Sequence, residues 1–278
     1  MTMRHETQSP ATPGKTHGYA PVNGLKMYYE IEGTGRPLVY IPPVFGYAGL
    51  IEFPALAGKR QLIAVDLQGH GRTSDIDRPM SFEQHAEDVV ALLAHLKIKR
   101  ADFFGESFGG TIATIIAVRH PDLVGRVATY GSIFGAFQDA FKPEMLATQL
   151  SLTPEAAGIQ FQRDNYKKVA PDPAHWPAVW SKVREIRWPG FTRDELARLK
   201  APVLIAVGDH DFVRLEHALE TFQRIPNAEL AVIPDAGHFV LNAAPAKVLP
   251  AVEEFLDGPA VRLPFATTMT GYHPGATR

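Results

Sequence analysis

The chain has 278 residues, enough for one α/β domain to bury about three quarters of its unfolded surface without cross-links. Its 28 basic and 30 acidic residues leave a net charge of −2 with no blocks of one sign, which argues against nucleic acid or an anionic membrane surface as partner and points to a small molecule. It contains no cysteine, which excludes disulfides, thiolate catalysis and cysteine-held zinc. No run approaches membrane-spanning length, and the opening MTMRHETQSPATPGKTHG lacks the apolar stretch of a secretory signal, so the expectation is a soluble, cytoplasmic protein.

Residues 1–17 are polar with Pro and Gly and are expected to form a flexible tail, as are residues 258–278. Asn23-Gly24, between YAPV and LKMYYEI, predicts a tight hairpin. The pattern then changes to short, almost continuously apolar runs: LVYI (38–41), QLIAV (61–65), ADFF (101–104), RVATY (126–130), VLIAV (203–207) and ELAVI (229–233). Such runs predict strands covered on both faces. Helical patterns lie between them. Ser81 with Gln84 predicts a capping box, followed at helical spacing by Ala86, Val89, Val90, Leu93 and Leu96. TIATIIAV, VRLEHALETF and PAKVLPAVEEFLDG predict three more helices, the last stopped by Gly258. Strands alternating with helices imply an α/β fold, a mostly parallel sheet with helices on both faces.

Residues 132–201 break this rhythm, with helical patterns, no strong strand signal and all three tryptophans. WPAVWSKVREI places Trp176, Val179, Trp180, Val183 and Ile186 on one helical face. Such a stripe packs the segment onto the main domain. In a functional reading it also roofs a pocket, which makes Trp176, Trp180 and Trp188 candidate substrate contacts.

GESFGG, residues 105–110, sits between ADFF and TIATIIAV, where a strand should turn into a helix. In a parallel sheet ligands bind beyond the carboxyl ends of the strands. G-x-S-x-G suits a turn so sharp that side chains at 105 and 109 would collide with their surroundings, and it holds the serine in strained backbone with its hydroxyl outward. The bare pattern also fits a small residue in a turn; the flanking elements favour a nucleophile. A serine hydroxyl needs a base to take its proton and a third group to orient that base. VLIAV runs into GDHD (208–211) and ELAVI leads through PDA to His238, so a serine, an aspartate and a histidine follow three different strands. Asp209 and Asp211 both qualify at this level, one as the acid and the other as a turn or helix cap. His70 in QGHGR reads as part of a structural turn. His210 has no second histidine cluster to complete a metal site, and GKT at 14–16 lacks the glycine of a phosphate loop, so neither metal nor cofactor is expected.

With these pieces assembled, residues 18–257 resemble the α/β-hydrolase superfamily, through NGLKMYYEIEG, IPPVFG, DLQGHGRTSD, GESFGG, RHPDLVGRV, GDHDFV and DAGHFV. The resemblance implies an eight-stranded, mostly parallel sheet over 18–131 and 202–257, a helical cap over 132–201, and a catalytic triad of Ser107, Asp211 and His238. The family's acid ends a G-x-x-D motif, which selects Asp211. The family's oxyanion hole implies the N–H groups of Val44 and Phe108 as donors. Here the sequence departs from the pattern, carrying Pro42-Pro43 where the family has His-Gly, and neither proline has an N–H.

The implied chemistry is acyl transfer, with His238 as base and an acid limb in kcat/KM near an ordinary histidine pKa of about 6 to 7. The expected substrate is a small to medium apolar carboxylic ester. An acyl-homoserine or other lactone suits the same groups, as do perhydrolysis and C–C bond hydrolysis. A slow-turnover ligand receptor is the reading from outside enzymology.

Overall fold

The computed structural model describes residues 14–258. Eight strands form one sheet: β1 (Thr16–Val22), β2 (Leu25–Glu32), β3 (Pro37–Ile41), β4 (Gln61–Val65), β5 (Ala101–Glu106), β6 (Val124–Tyr130), β7 (Val203–Gly208) and β8 (Ala228–Ile233). Their spatial order is β1-β2-β4-β3-β5-β6-β7-β8. The β1–β2 and β2–β4 pairs are antiparallel and all others parallel. The hairpin turns at Asn23 and Gly24, both at positive φ (46° and 84°), the backbone an Asn-Gly pair adopts at least cost. The expected N-terminal tail is shorter than 1–17, because Thr16 and His17 extend β1 and pair with Ile31 and Glu30. Residues 1–13 of that tail, and the C-terminal one beyond 258, lie outside the described residues.

The helices follow from the sequence pattern. We label α1 (Phe82–His95), α2 (Phe108–Arg119), α3 (Pro143–Ser151), α4 (Gln160–Val169), α5 (Trp176–Glu185), α6 (Leu215–Arg224) and α7 (Leu249–Asp257). Ser81 Oγ accepts the N–H of Gln84 at 3.0 Å, but the Gln84 side chain bonds Asp88 rather than returning to the cap, so only half of the expected box forms. Asp88 is a buried carboxylate held by Arg78, and its demand for donors outweighs the reciprocal cap. Gly258 follows α7 without left-handed backbone (φ −67°).

β5, β6 and β7 are buried throughout, and α2 is buried for most of its length, as continuous apolar runs require. β8 differs from the expectation of burial on both faces: it is an edge strand, and Val232 is 48% exposed. Residues between β6 and β7 form α3, α4, α5 and shorter turns, and isolated bridges Gly135–Gly190 and Phe141–Val213 tie this helical segment to itself and to the loop after β7. Among the described residues no helix is long and apolar enough to cross a membrane.

Candidate active site

Ser107 joins the end of β5 to the start of α2 with φ 51° and ψ −115°, a conformation that L-residues reach only under strain. The glycines around it are dictated by contact. A Cβ on Gly105 would lie 2.4 Å from the Gly109 backbone, one on Gly109 2.0 Å from Ile41 O, and one on Gly110 2.0 Å from Ser132 Oγ. Ser107 N–H donates to Tyr130 O at 2.7 Å, which anchors the turn to β6.

The loops after β7 and β8 bring the other two groups to the same rim. His238 Nε2 lies 3.0 Å from Ser107 Oγ, and His238 Nδ1 lies 2.8 Å from Asp211 Oδ1. A carboxylate on Nδ1 selects the tautomer with its proton there, leaving Nε2 to accept the serine O–H. Asp211 and His238 are both buried, and Phe212 covers the imidazole with ring centroids 3.8 Å apart. Asp211 Oδ1 also accepts the N–H of Val213. Asp209 has a different task. It accepts the N–H groups of Asp235 and Ala236 and so pins the loop that leads to His238, and those bonds hold its carboxyl below the usual range.

The two prolines build a rigid turn in place of His-Gly. Gly46 N–H closes on Pro43 O at 2.8 Å, and Phe45 takes φ 60°, the left-handed backbone that the third residue of such a turn demands. Val44 and Phe108 line one cavity with Ser107. Among the described residues neither N–H donates to a backbone carbonyl; Phe108 is the first residue of α2, where helix geometry leaves the amide unspent.

A family model described as the alpha/beta hydrolase family matches residues 33–251. The chain belongs to that family. A relative in Pseudomonas putida, the dihydrolipoyllysine-residue acetyltransferase component of the acetoin cleaving system, is 30% identical over 262 residues, 85% of this chain and 68% of its own. The 2-hydroxymuconate semialdehyde hydrolase of Pseudomonas putida is 28% identical over 269 residues, covering 84% and 91%. Among solved structures, an N-acyl homoserine lactone degrading enzyme has a TM-score of 0.68 at 26% identity, covering 86% of this chain and 100% of that one. One from a study of Nitrososphaera gargenis carboxylesterases has a TM-score of 0.70 at 25% identity, covering 87% and 97%.

In this alpha/beta hydrolase the cavity at Ser107 has a volume of about 260 Å³. Its walls near the serine are aromatic, from Phe82, Phe108, Phe137, Phe141 and Phe212, and the helical segment adds Gln149, Gln162 and Asn165. Of the three tryptophans only Trp180 lines it. Trp176 is turned inward, its indole N–H donating to Pro154 O at 2.8 Å and its ring packed 4.7 Å from Phe45. Trp188 packs between Phe82 and Phe191. Trp176 and Trp188 are therefore not cavity contacts; both are core residues.

Sequence reasoning passed over Glu106. It is buried beside Ser107, with Tyr40 O–H donating to Oε2 at 3.3 Å and, among the described residues, no hydrogen-bond partner for Oε1. Desolvation pushes its carboxyl up to about 8; the Tyr40 bond opposes this and the charge of Asp211 adds to it. The available signal was a glutamate inside a strand otherwise covered on both faces.

Proposed function

We propose that this hydrolase cleaves carboxylic esters of small to medium apolar substrates through an acyl-enzyme on Ser107. The observation that carries the reading is the continuous chain from Ser107 Oγ through both nitrogens of His238 to Asp211, at 3.0 and 2.8 Å. In the first step His238 Nε2 takes the hydroxyl proton as Oγ bonds the carbonyl carbon, and the negative charge on the former carbonyl oxygen is held by the N–H groups of Val44 and Phe108. The alcohol then leaves with the proton from His238. Water, deprotonated by the same nitrogen, releases the acid. Asp211 keeps the imidazole oriented and stabilises its charged form.

The cavity supports the substrate class. A concave, largely aromatic cavity that opens on Ser107 suits an apolar acyl group laid against Phe82, Phe137, Phe141 and Phe212. Trp180 and the helical segment around it act as the cap. The likeness to a lactone-degrading enzyme favours a second reading, the opening of an acyl-homoserine or related lactone by the same steps, in which the leaving alkoxide stays attached to the acyl group.

The test is a panel of p-nitrophenyl esters of increasing acyl length beside acyl-homoserine lactones, with wild type and Ser107→Ala. Turnover above about 1 s⁻¹ on a short activated ester, abolished by Ser107→Ala, is expected. Activity on the lactones alone favours the second reading. Ligand binding with turnover far below that rate identifies a receptor and overturns both.

A further inference from the structure

His70 is a buried histidine that the proposed mechanism does not use, yet its ring packs on aromatic side chains from both segments that carry the proposed oxyanion donors. It is stacked on Phe45, next to Val44, with centroids 5.6 Å apart and planes 15° apart. It is stacked on Phe108 at 6.0 Å and 14°. Both geometries fall in the offset-stacked range of aromatic pairs. The orientation of the imidazole is fixed independently, by a 2.8 Å bond between Nδ1 and Gln68 O, which makes Nδ1 the protonated nitrogen. The turn presenting it is as constrained as the serine turn: Gly69 and Gly71 have φ 68° and 54°, and a Cβ on Gly71 would sit 2.2 Å from Asp66 Oδ2.

The column continues into the helical segment. Phe45 also packs against Trp176 at 4.7 Å and Trp180 at 5.5 Å, both on α5. Val179, between them, lies against Gly69 of the His70 turn. Phe45 holds a φ of 60°, which a bulky residue keeps only when its surroundings over-determine it. Phe45 and Val44 are the two central residues of one closed turn, Pro43 to Gly46, so rings that fix Phe45 bear on the segment that carries the Val44 N–H. On the other side Phe108 meets His85 at 5.4 Å and Phe82 at 4.4 Å, so its position is also set by rings.

We propose that His70 is a positioning residue for the oxyanion hole, its ring spacing the Val44 turn from the start of α2 so that the two N–H groups converge on one oxygen. The inference rests on the acyl-enzyme reading and adds to it a dependence of rate on a side chain that touches no substrate. It also gives the tryptophan stripe a role: α5 braces the oxyanion turn through Phe45, with Trp176 acting entirely from within the core.

The experiment compares wild type, His70→Leu and His70→Phe on p-nitrophenyl butanoate and on its thiono analogue, in which sulfur replaces the carbonyl oxygen. The concentration of folded sites is fixed by stoichiometric titration with an organophosphonate, so that loss of folded protein is not counted as loss of kcat. His70→Leu, which keeps apolar bulk without a ring, is expected to lower kcat by about ten- to a hundredfold with KM changed by less than about threefold, since a fully lost donor costs about 10² to 10³. Its preference for oxo over thiono ester should fall at least about fivefold, because sulfur is larger and a weaker acceptor and only a well-aimed hole punishes it. His70→Phe, which restores the stacked ring, should recover most of both losses. If His70→Leu keeps kcat per titrated site and the oxo-to-thiono ratio within twofold of wild type, or if its loss lies in KM or folded fraction alone, the proposal is overturned. Ser107→Ala is run beside them: activity surviving there defeats the acyl-enzyme reading itself, whereas an inert Ser107→Ala with an unaffected His70→Leu defeats only the positioning role.

Discussion

Replacing Glu106 by glutamine isolates the energetic consequence of burying a carboxyl under the nucleophile. Glutamine keeps an oxygen that can accept from Tyr40 and cannot ionise. Burial raises the Glu106 pKa from 4.5 to about 8, so the folded state binds this proton more tightly than the unfolded chain does. The sign follows: the stabilisation is complete below pH 4.5 and is lost as pH rises through about 8. For a single group with these two values, the advantage of the folded state is about 3 kcal/mol at pH 5.5 and falls below about 1 kcal/mol by pH 8, from about 1.4 kcal/mol per decade of proton affinity. Wild type should therefore lose about 2 to 3 kcal/mol more stability across that interval than Glu106→Gln. For a domain of this size that is about 4 to 12 °C in melting temperature. The assay is thermal unfolding of both proteins at the two pH values. The buried carboxyl of Asp66, raised to about 7 by desolvation, is common to both and cancels in the comparison. Parallel melting curves for the two proteins across the interval would refute the reasoning.

The two aspartates after β7 should separate cleanly in kinetics. Asp211→Asn removes the group that selects the His238 tautomer and should lower kcat by about 10⁴, whereas Asp209→Asn, at a carboxylate that accepts from the N–H groups of Asp235 and Ala236 and lies beside His210, should stay within about tenfold of wild type. The tryptophans should separate in binding: Trp180→Ala removes cavity wall and should raise KM for a short ester about tenfold, while Trp188→Phe, measured by the same initial rates, should leave KM unchanged.

Much of the sheet is legible because a parallel strand covered by helices on both faces has no polar side to show. QLIAV, RVATY and VLIAV could be little else, and VLIAV runs on to Asp211 at the rim. The serine, the acid and the base are readable for the same topological reason, since each follows the carboxyl end of a different strand. ELAVI reads like its neighbours but forms an edge strand, because composition records apolar side chains and not whether a partner lies beyond them. The tryptophan stripe shows that helical spacing identifies a buried face without saying what buries it: Trp180 meets the cavity, Trp176 meets Phe45, and Trp188 meets Phe82. Glu106 and His70 escaped because their significance is tertiary. Nothing in QGHGR reveals that its histidine stacks beside Phe45 and Phe108, residues 25 positions before it and 38 after it.

The central claim is that Ser107 is the nucleophile. Its most direct test is the mass of the intact protein after reaction with a fluorophosphonate, followed by mapping of the modified peptide. One adduct per chain on Ser107 in wild type is expected, with no adduct in Ser107→Ala and a fall in kcat of about 10⁴ to 10⁶ in that variant. An adduct on any other residue, or a Ser107→Ala protein that keeps a tenth of the wild-type rate, would contradict the account.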